Sequence, residues 1–117
     1  MNEGDVVLTP IPQADGKTKL RPAILLRNMP GAYRDVLVCG VSTQLQSYVE
    51  QFDETITNKD SDYRNSGLLA NSLIRLGFLA VLPRRAIAGS IGSISSERYM
   101  RLLKRLSDYL IKSNINE

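Results

Sequence analysis

Gly4-Asp5-Val6-Val7-Leu8, Arg21-Pro22-Ala23-Ile24-Leu25-Leu26 and Val36-Leu37-Val38-Cys39-Gly40-Val41-Ser42-Thr43-Gln44 are three short apolar runs, each tied to a polar signature. The first is β-branched and ends at Pro10 and Pro12, which lack the N–H a central strand must donate, so it predicts a short first strand. Pro30-Gly31 punctuates the gap between the other two runs, so these are expected to pair as antiparallel strands across a long hairpin. Both are nearly continuous in apolar residues, as in strands covered on both faces in a small barrel or at an interface. The spacing predicts that one arginine and one hydroxyl pair reach a single site.

Working outward, Gln13 to Leu20 reads as a polar loop with an Asp15-Gly16 turn, carrying Lys17 and Lys19 and delivering Arg21. Tyr48 to Thr57 partly alternates and predicts a half-exposed strand, and Asn58 to Gly67 has the composition of a surface loop. Ser72-Leu73-Ile74-Arg75 and Phe78 to Leu82 are strand candidates around Gly77, Pro83-Arg84-Arg85 marks a bend, and Ile87 to Ile94 predicts a short last strand. The final element is an amphipathic helix: Ser95 or Ser96 caps it, and Tyr99, Leu102, Leu103, Leu106, Tyr109 and Leu110 follow helical spacing. Arg98, Arg101, Arg105, Asp108 and Lys112 read as its solvated side. The expected class is mainly β, a small barrel with a C-terminal amphipathic helix.

A chain of 117 residues is expected to form one domain. No stretch approaches the roughly 18 apolar residues that span a bilayer, so a soluble protein with no membrane contact is expected. Met1 to Asp5 carries two acids and no basic or apolar leader pattern, which predicts a cytoplasmic location. The single cysteine, Cys39, lies in an apolar run and reads as a small core residue. Histidine is absent, which excludes Ser-His-Asp and Cys-His nucleophile systems and histidine-ligated zinc. Residues 1–74 hold seven Lys/Arg against nine Asp/Glu, and residues 75–117 hold eight against three. The basic C-terminal part suits a polyanion such as RNA or DNA, or an acidic protein partner; a solvated helix face accounts for much of the same charge.

Pro22 biases Arg21 to an extended conformation at the entrance to its strand. A planar, permanently charged guanidinium there suits a phosphate or a phosphorane, although an ion pair with Asp5 or Asp35 would use it as well. Ser42, Thr43 and Gln44 close their strand with groups that donate to phosphate oxygens or bases, and the same residues are common turn formers.

The order and spacing of Gly4-Asp5, Arg21-Pro22-Ala23-Ile24-Leu25 and Val41-Ser42-Thr43-Gln44 resemble the MazF/PemK (Kid) family, endoribonuclease toxins of bacterial toxin–antitoxin systems. The resemblance implies a single domain over residues 1–117 with an SH3-like β-barrel, and a homodimer that binds single-stranded RNA in a groove contested by an acidic antitoxin. It also implies a sequence-selective mRNA interferase that needs no metal or other cofactor, in which a ribose 2′-hydroxyl attacks the adjacent phosphate. Carried onto this chain, Arg21 and Ser42 take the catalytic positions with Thr43 beside them. Lys17, Lys19, Gln44, Arg75, Arg84 and Arg85 are the candidate RNA contacts. A second reading is a barrel of this kind that binds nucleic acid or protein without cutting, since Phe78 and Ala80 stand where many relatives are polar. A third is a β-barrel adaptor with no ribonuclease ancestry.

Overall fold

The computed structural model describes residues 1–12 and 15–112, so the Gln13-Ala14 part of the predicted loop lies outside the described residues. Six strands form one antiparallel sheet: β1 (Asp5–Pro12), β2 (Thr18–Asn28), β3 (Asp35–Ser42), β4 (Glu54–Ile56), β5 (Ser72–Pro83) and β6 (Gly89–Ser93). Their spatial order is β4-β5-β3-β2-β1-β6, with every neighbouring pair antiparallel. A single helical turn, α1 (Tyr63–Ser66), and a terminal helix, α2 (Ser96–Leu110), complete the fold.

The predicted hairpin of the second and third runs is present, with Ala23 opposite Gly40 and Leu25 opposite Val38. β1 does not stop before its prolines: it continues to Pro12, with Pro10 opposite Leu20. Leu8 presents its carbonyl to the Ala88 amide on the β6 side, and alternation turns the backbone nitrogens of Pro10 and Pro12 the same way. β6 pairs with β1 only as far as Leu8, so the missing N–H groups face an open edge. The loop before Arg21 is correspondingly shorter than expected, because Lys19 and Leu20 already belong to β2.

Residues 72–83 form one strand rather than two, broken in register where Arg75 sits opposite Gly40 and Leu79 opposite Cys39. The Leu76 amide, in the bulge between, donates to Oδ1 of the buried Asp53 at 3.1 Å. The half-exposed strand expected over 48–57 is reduced to Glu54–Ile56, and its acidic residues Asp53 and Glu54 are buried.

One face of the sheet is covered by α2. Val6, Ile24, Leu26, Cys39, Val41, Ile74 and Leu76 pack there with Leu102 and Leu106 of the helix. Burial pushes the Cys39 thiol up to about 12, which keeps it neutral in the core as its apolar setting predicts. Ser95 caps α2 by accepting from the Arg98 amide at 3.2 Å, and Tyr99 donates its hydroxyl proton to the Leu26 carbonyl at 2.7 Å. Tyr109 and Leu110, assigned to the apolar side by spacing, lie in the exposed last turn.

The solvated side predicted for α2 is corrected by Arg98, which is 5% exposed. Its guanidinium meets Glu54 at 2.8 Å and Asp62 at 2.8 Å, and it donates to the Thr55 carbonyl. Arg101 reaches Glu54 at 2.9 Å, and Arg105 donates to the Asp53 carbonyl. Asn58 to Gly67 is therefore more than surface: Asp62 and Ser66 are buried, and Asp62 also accepts from the Ser95 amide. Burial alone would raise the Asp62 carboxyl, but hydrogen bonds from Arg98 and Ser95, with the Arg98 charge, outweigh it and hold the group below the usual carboxylate range. Its contribution to stability is complete above the unfolded value of about 3.9 and is lost as pH falls through the lower folded value. The thermal midpoint should thus drop on acidification below about pH 4, and Asp62→Asn should flatten that part of the profile.

The segment α1 lies against β6 at two glycines. A Cβ on Gly92 would stand 2.2 Å from the Asn65 carbonyl oxygen, and one on Gly67, whose φ is +74°, would stand 2.1 Å from that of Ile91. Backbone cannot yield as a side chain does, so Gly92→Ala should destabilise by roughly 1–3 kcal/mol in chemical denaturation, the usual range for overpacking.

Candidate active site

No α-helix among the described residues covers the other face of the sheet. Val7, Ala23, Leu25, Val36, Val38 and Ile87 form its smaller core. Strand alternation puts Lys19 and Arg21 on the side of Ala23 and Leu25, Thr9 on the side of Val7, and Ser42 on the side of Val36 and Val38. The β2–β3 register, carried two residues beyond Ala23 and Gly40, brings Arg21 level with Ser42 at one end of the sheet. The two residues singled out in sequence thus share a face and an end.

Each is held differently. Arg21 pairs with Thr9 across β1–β2, and the Thr9 hydroxyl, almost fully buried, donates to the Arg21 carbonyl at 3.3 Å. Its side chain is exposed, and among the described residues the expected ion pairs with Asp5 and Asp35 do not form. Ser42 Oγ accepts from the Gln44 amide at 3.0 Å, which leaves the hydroxyl proton to donate elsewhere. Thr43 is exposed, and Gln44 accepts from the Gln46 side chain at 2.7 Å.

Next to this pair is an apolar trough of ≈ 180 Å³ whose lining includes Thr9, Ala23, Val38, Gly40, Phe78 and Leu82. Gly40 is needed there because a Cβ would approach the Phe78 ring to 2.9 Å. Arg75 lies opposite Gly40, with its guanidinium 5.7 Å from the centre of the Phe78 ring, a cation–π contact. Thr9 was not singled out in sequence, and only the β1–β2 register reveals its part in holding Arg21.

The remaining predicted contacts divide. Lys19 shares the Arg21 face, and Lys17 is exposed in the turn where its amide donates to Asp15. Arg84 and Arg85 follow Pro83, which pairs with Asp35 at the far end of β3 from Ser42. At about 3.3 Å per residue that separation is roughly 23 Å, so within one chain these two arginines do not join Arg21. Arg84 is instead committed to Asn28 Oδ1 at 2.8 Å and the Met1 carbonyl at 2.7 Å. No group of three or more acidic or cysteine side chains suited to a metal ion occurs among the described residues.

This six-stranded antiparallel half-barrel with a C-terminal helix is the fold of MazF toxins. A family model for the PemK-like, MazF-like toxin of type II toxin–antitoxin systems matches residues 2–110, and the chain belongs to that family. Among solved structures, the MazE-MazF complex (Form-II) from Deinococcus radiodurans is similar with a TM-score of 0.70 at 18% identity, covering 97% of each chain. The Mycobacterium tuberculosis toxin MazF-mt6 is similar with a TM-score of 0.65 at 15% identity, covering 93% of this chain and 98% of that one. No curated protein sequence matches the chain. No helix among the described residues is long and apolar enough to cross a membrane.

Proposed function

We propose that this chain is the toxin of a toxin–antitoxin pair and cleaves single-stranded RNA without a metal. The observation that carries the reading is the common face and end of Arg21 and Ser42, beside an apolar trough, in a chain with no histidine. In this reading the substrate's own 2′-hydroxyl attacks the adjacent phosphate, the bond to the 5′-oxygen breaks, and a 2′,3′-cyclic phosphate and a 5′-hydroxyl result. Arg21 stabilises charge gathering on the phosphorane, since a guanidinium is too weak an acid to serve first as a proton donor. Ser42 donates to a phosphate oxygen, Thr43 adjoins it, and Gln44 holds backbone or base. RNA incubated with the purified protein in EDTA should yield those two termini; products that require a divalent ion would overturn the mechanism.

The partners follow the same reading: a second copy of the chain, and an acidic antitoxin segment that competes for the RNA surface, all in the cytoplasm. A MazE-MazF complex among the similar structures supports the pairing. A second reading, a barrel that binds without cutting, is favoured by the commitment of Arg75 to Phe78, which draws one cation of this face onto an aromatic ring. Retained RNA affinity with no cleavage of any sequence would select it.

A further inference from the structure

The far end of the sheet is built as a site of its own. Tyr33, Arg34, Arg84 and Arg85 line a shallow cavity of ≈ 320 Å³, and Arg34 and Arg84 line an adjoining one of ≈ 240 Å³ with Asn28 and Asp35. The loop that carries Tyr33 and Arg34 is fixed at both sides. The Met29 amide donates to the Asp35 carbonyl at 2.9 Å across its base, and the Arg84 amide donates to the Arg34 carbonyl at 3.1 Å. Arg34 itself has φ +58°, a left-handed conformation that a non-glycine residue keeps only where its surroundings enforce it.

Charge and exposure then point the same way. Among the described residues Asp35 is the one carboxylate lining either cavity, against the three guanidiniums of Arg34, Arg84 and Arg85. Among the described residues Arg34 and Arg85 make no ion pair, and Tyr33, which lines the first cavity with them, is 87% exposed. Excess guanidinium gathered around one carboxylate is relieved by an anion, and an aromatic ring left in water is relieved by a flat apolar partner.

The geometry points to a second single-strand contact here: a backbone phosphate held by Arg34 and Arg85 beside the pinned Arg84, with the neighbouring base stacked on Tyr33. This rests on the reading that the chain acts on RNA, and it adds a hold on flanking nucleotides roughly 23 Å from the Arg21 end. An acidic peptide would satisfy the arginines but leave Tyr33 in water, so RNA is the better fit.

Fluorescence anisotropy tests the contact with 2′-O-methyl RNAs, which cannot be cut, of about 4 and about 16 nucleotides, the range of single-strand footprints on small barrels. Tyr33→Ala/Arg85→Ala should bind the long RNA about tenfold more weakly, with a salt dependence smaller by roughly 0.7 for one phosphate lost, and should bind the short RNA as before. Arg85→Glu, a charge reversal at an exposed side chain, should reproduce that ordering and serves if the double variant does not fold. Unchanged affinity for the long RNA, an equal loss for the short one, or a loss confined to a polyglutamate peptide would overturn the contact. Loss of long-RNA affinity in a protein that never cuts RNA would overturn the ribonuclease reading and leave this contact standing. Normal cleavage with affinity indifferent to the patch would do the reverse.

Discussion

Arg98→Ala will lower stability by roughly 3–5 kcal/mol, the range for removing one member of a buried ion cluster. At roughly 4 °C per kcal/mol for a domain of this size, the thermal midpoint should fall by more than about 10 °C. The loss is specific in its cause. Glu54 keeps Arg101 at 2.9 Å and Arg105 at 3.6 Å, whereas among the described residues Asp62 has Arg98 as its one close guanidinium and would be left with the Ser95 amide. A carboxylate that is 7% exposed is costly to leave unpaired, so adding Asp62→Asn to Arg98→Ala should recover part of the loss. Arg101→Ala, at a side chain about half exposed, should cost no more than about 1 kcal/mol. Equal effects of Arg98→Ala and Arg101→Ala in thermal unfolding would show that the cluster does not hold the helix.

Arg21→Ala should reduce RNA cleavage by about 10²–10³-fold, the scale for losing one group aimed at developing transition-state charge. The effect should lie in kcat, with unfolding unchanged, because the guanidinium is exposed and has no ion-pair partner among the described residues. Ser42→Ala should cost less, because a hydrogen bond to phosphate is lost and a full charge is not; it also removes the acceptor of the Gln44 amide and so loosens the end of β3. Lys in place of Arg21 should restore little, since an ammonium cannot present two parallel donors. Cleavage that survives Arg21→Ala would exclude this face as the reacting one.

Much of this layout was legible in the chain. The β2–β3 hairpin, the cap at Ser95, and the shared strand end of Arg21 and Ser42 all follow from local turn chemistry and alternation. What was not legible depended on partners distant in sequence. The polar stretch around Asp62 reads as surface by composition, and only the approach of Arg98, 36 residues later, makes its burial affordable. A signal was present, because Arg98 lies four and eight residues before Leu102 and Leu106 and therefore on their inward stripe. The single β5 strand was hidden by Gly77, since the carboxylate that satisfies its bulge belongs to Asp53. Arg84 and Arg85 read in sequence as candidate RNA contacts, but a list of basic residues carries no direction along a strand, so their distance from Arg21 was not legible.

Pro10 and Pro12 have a consequence for how this molecule meets others. An uncovered strand edge is a template on which another chain can add a strand, and the stretch of β1 beyond Leu8 is such an edge. There the alternate positions that would donate to an incoming chain are prolines, and at the opposite border β4 offers only three residues. The stretch of β1 beyond Leu8 is thereby guarded against a neighbour that would add a strand to it. At that edge association is left to side chains and loops, where charge and shape can choose the partner.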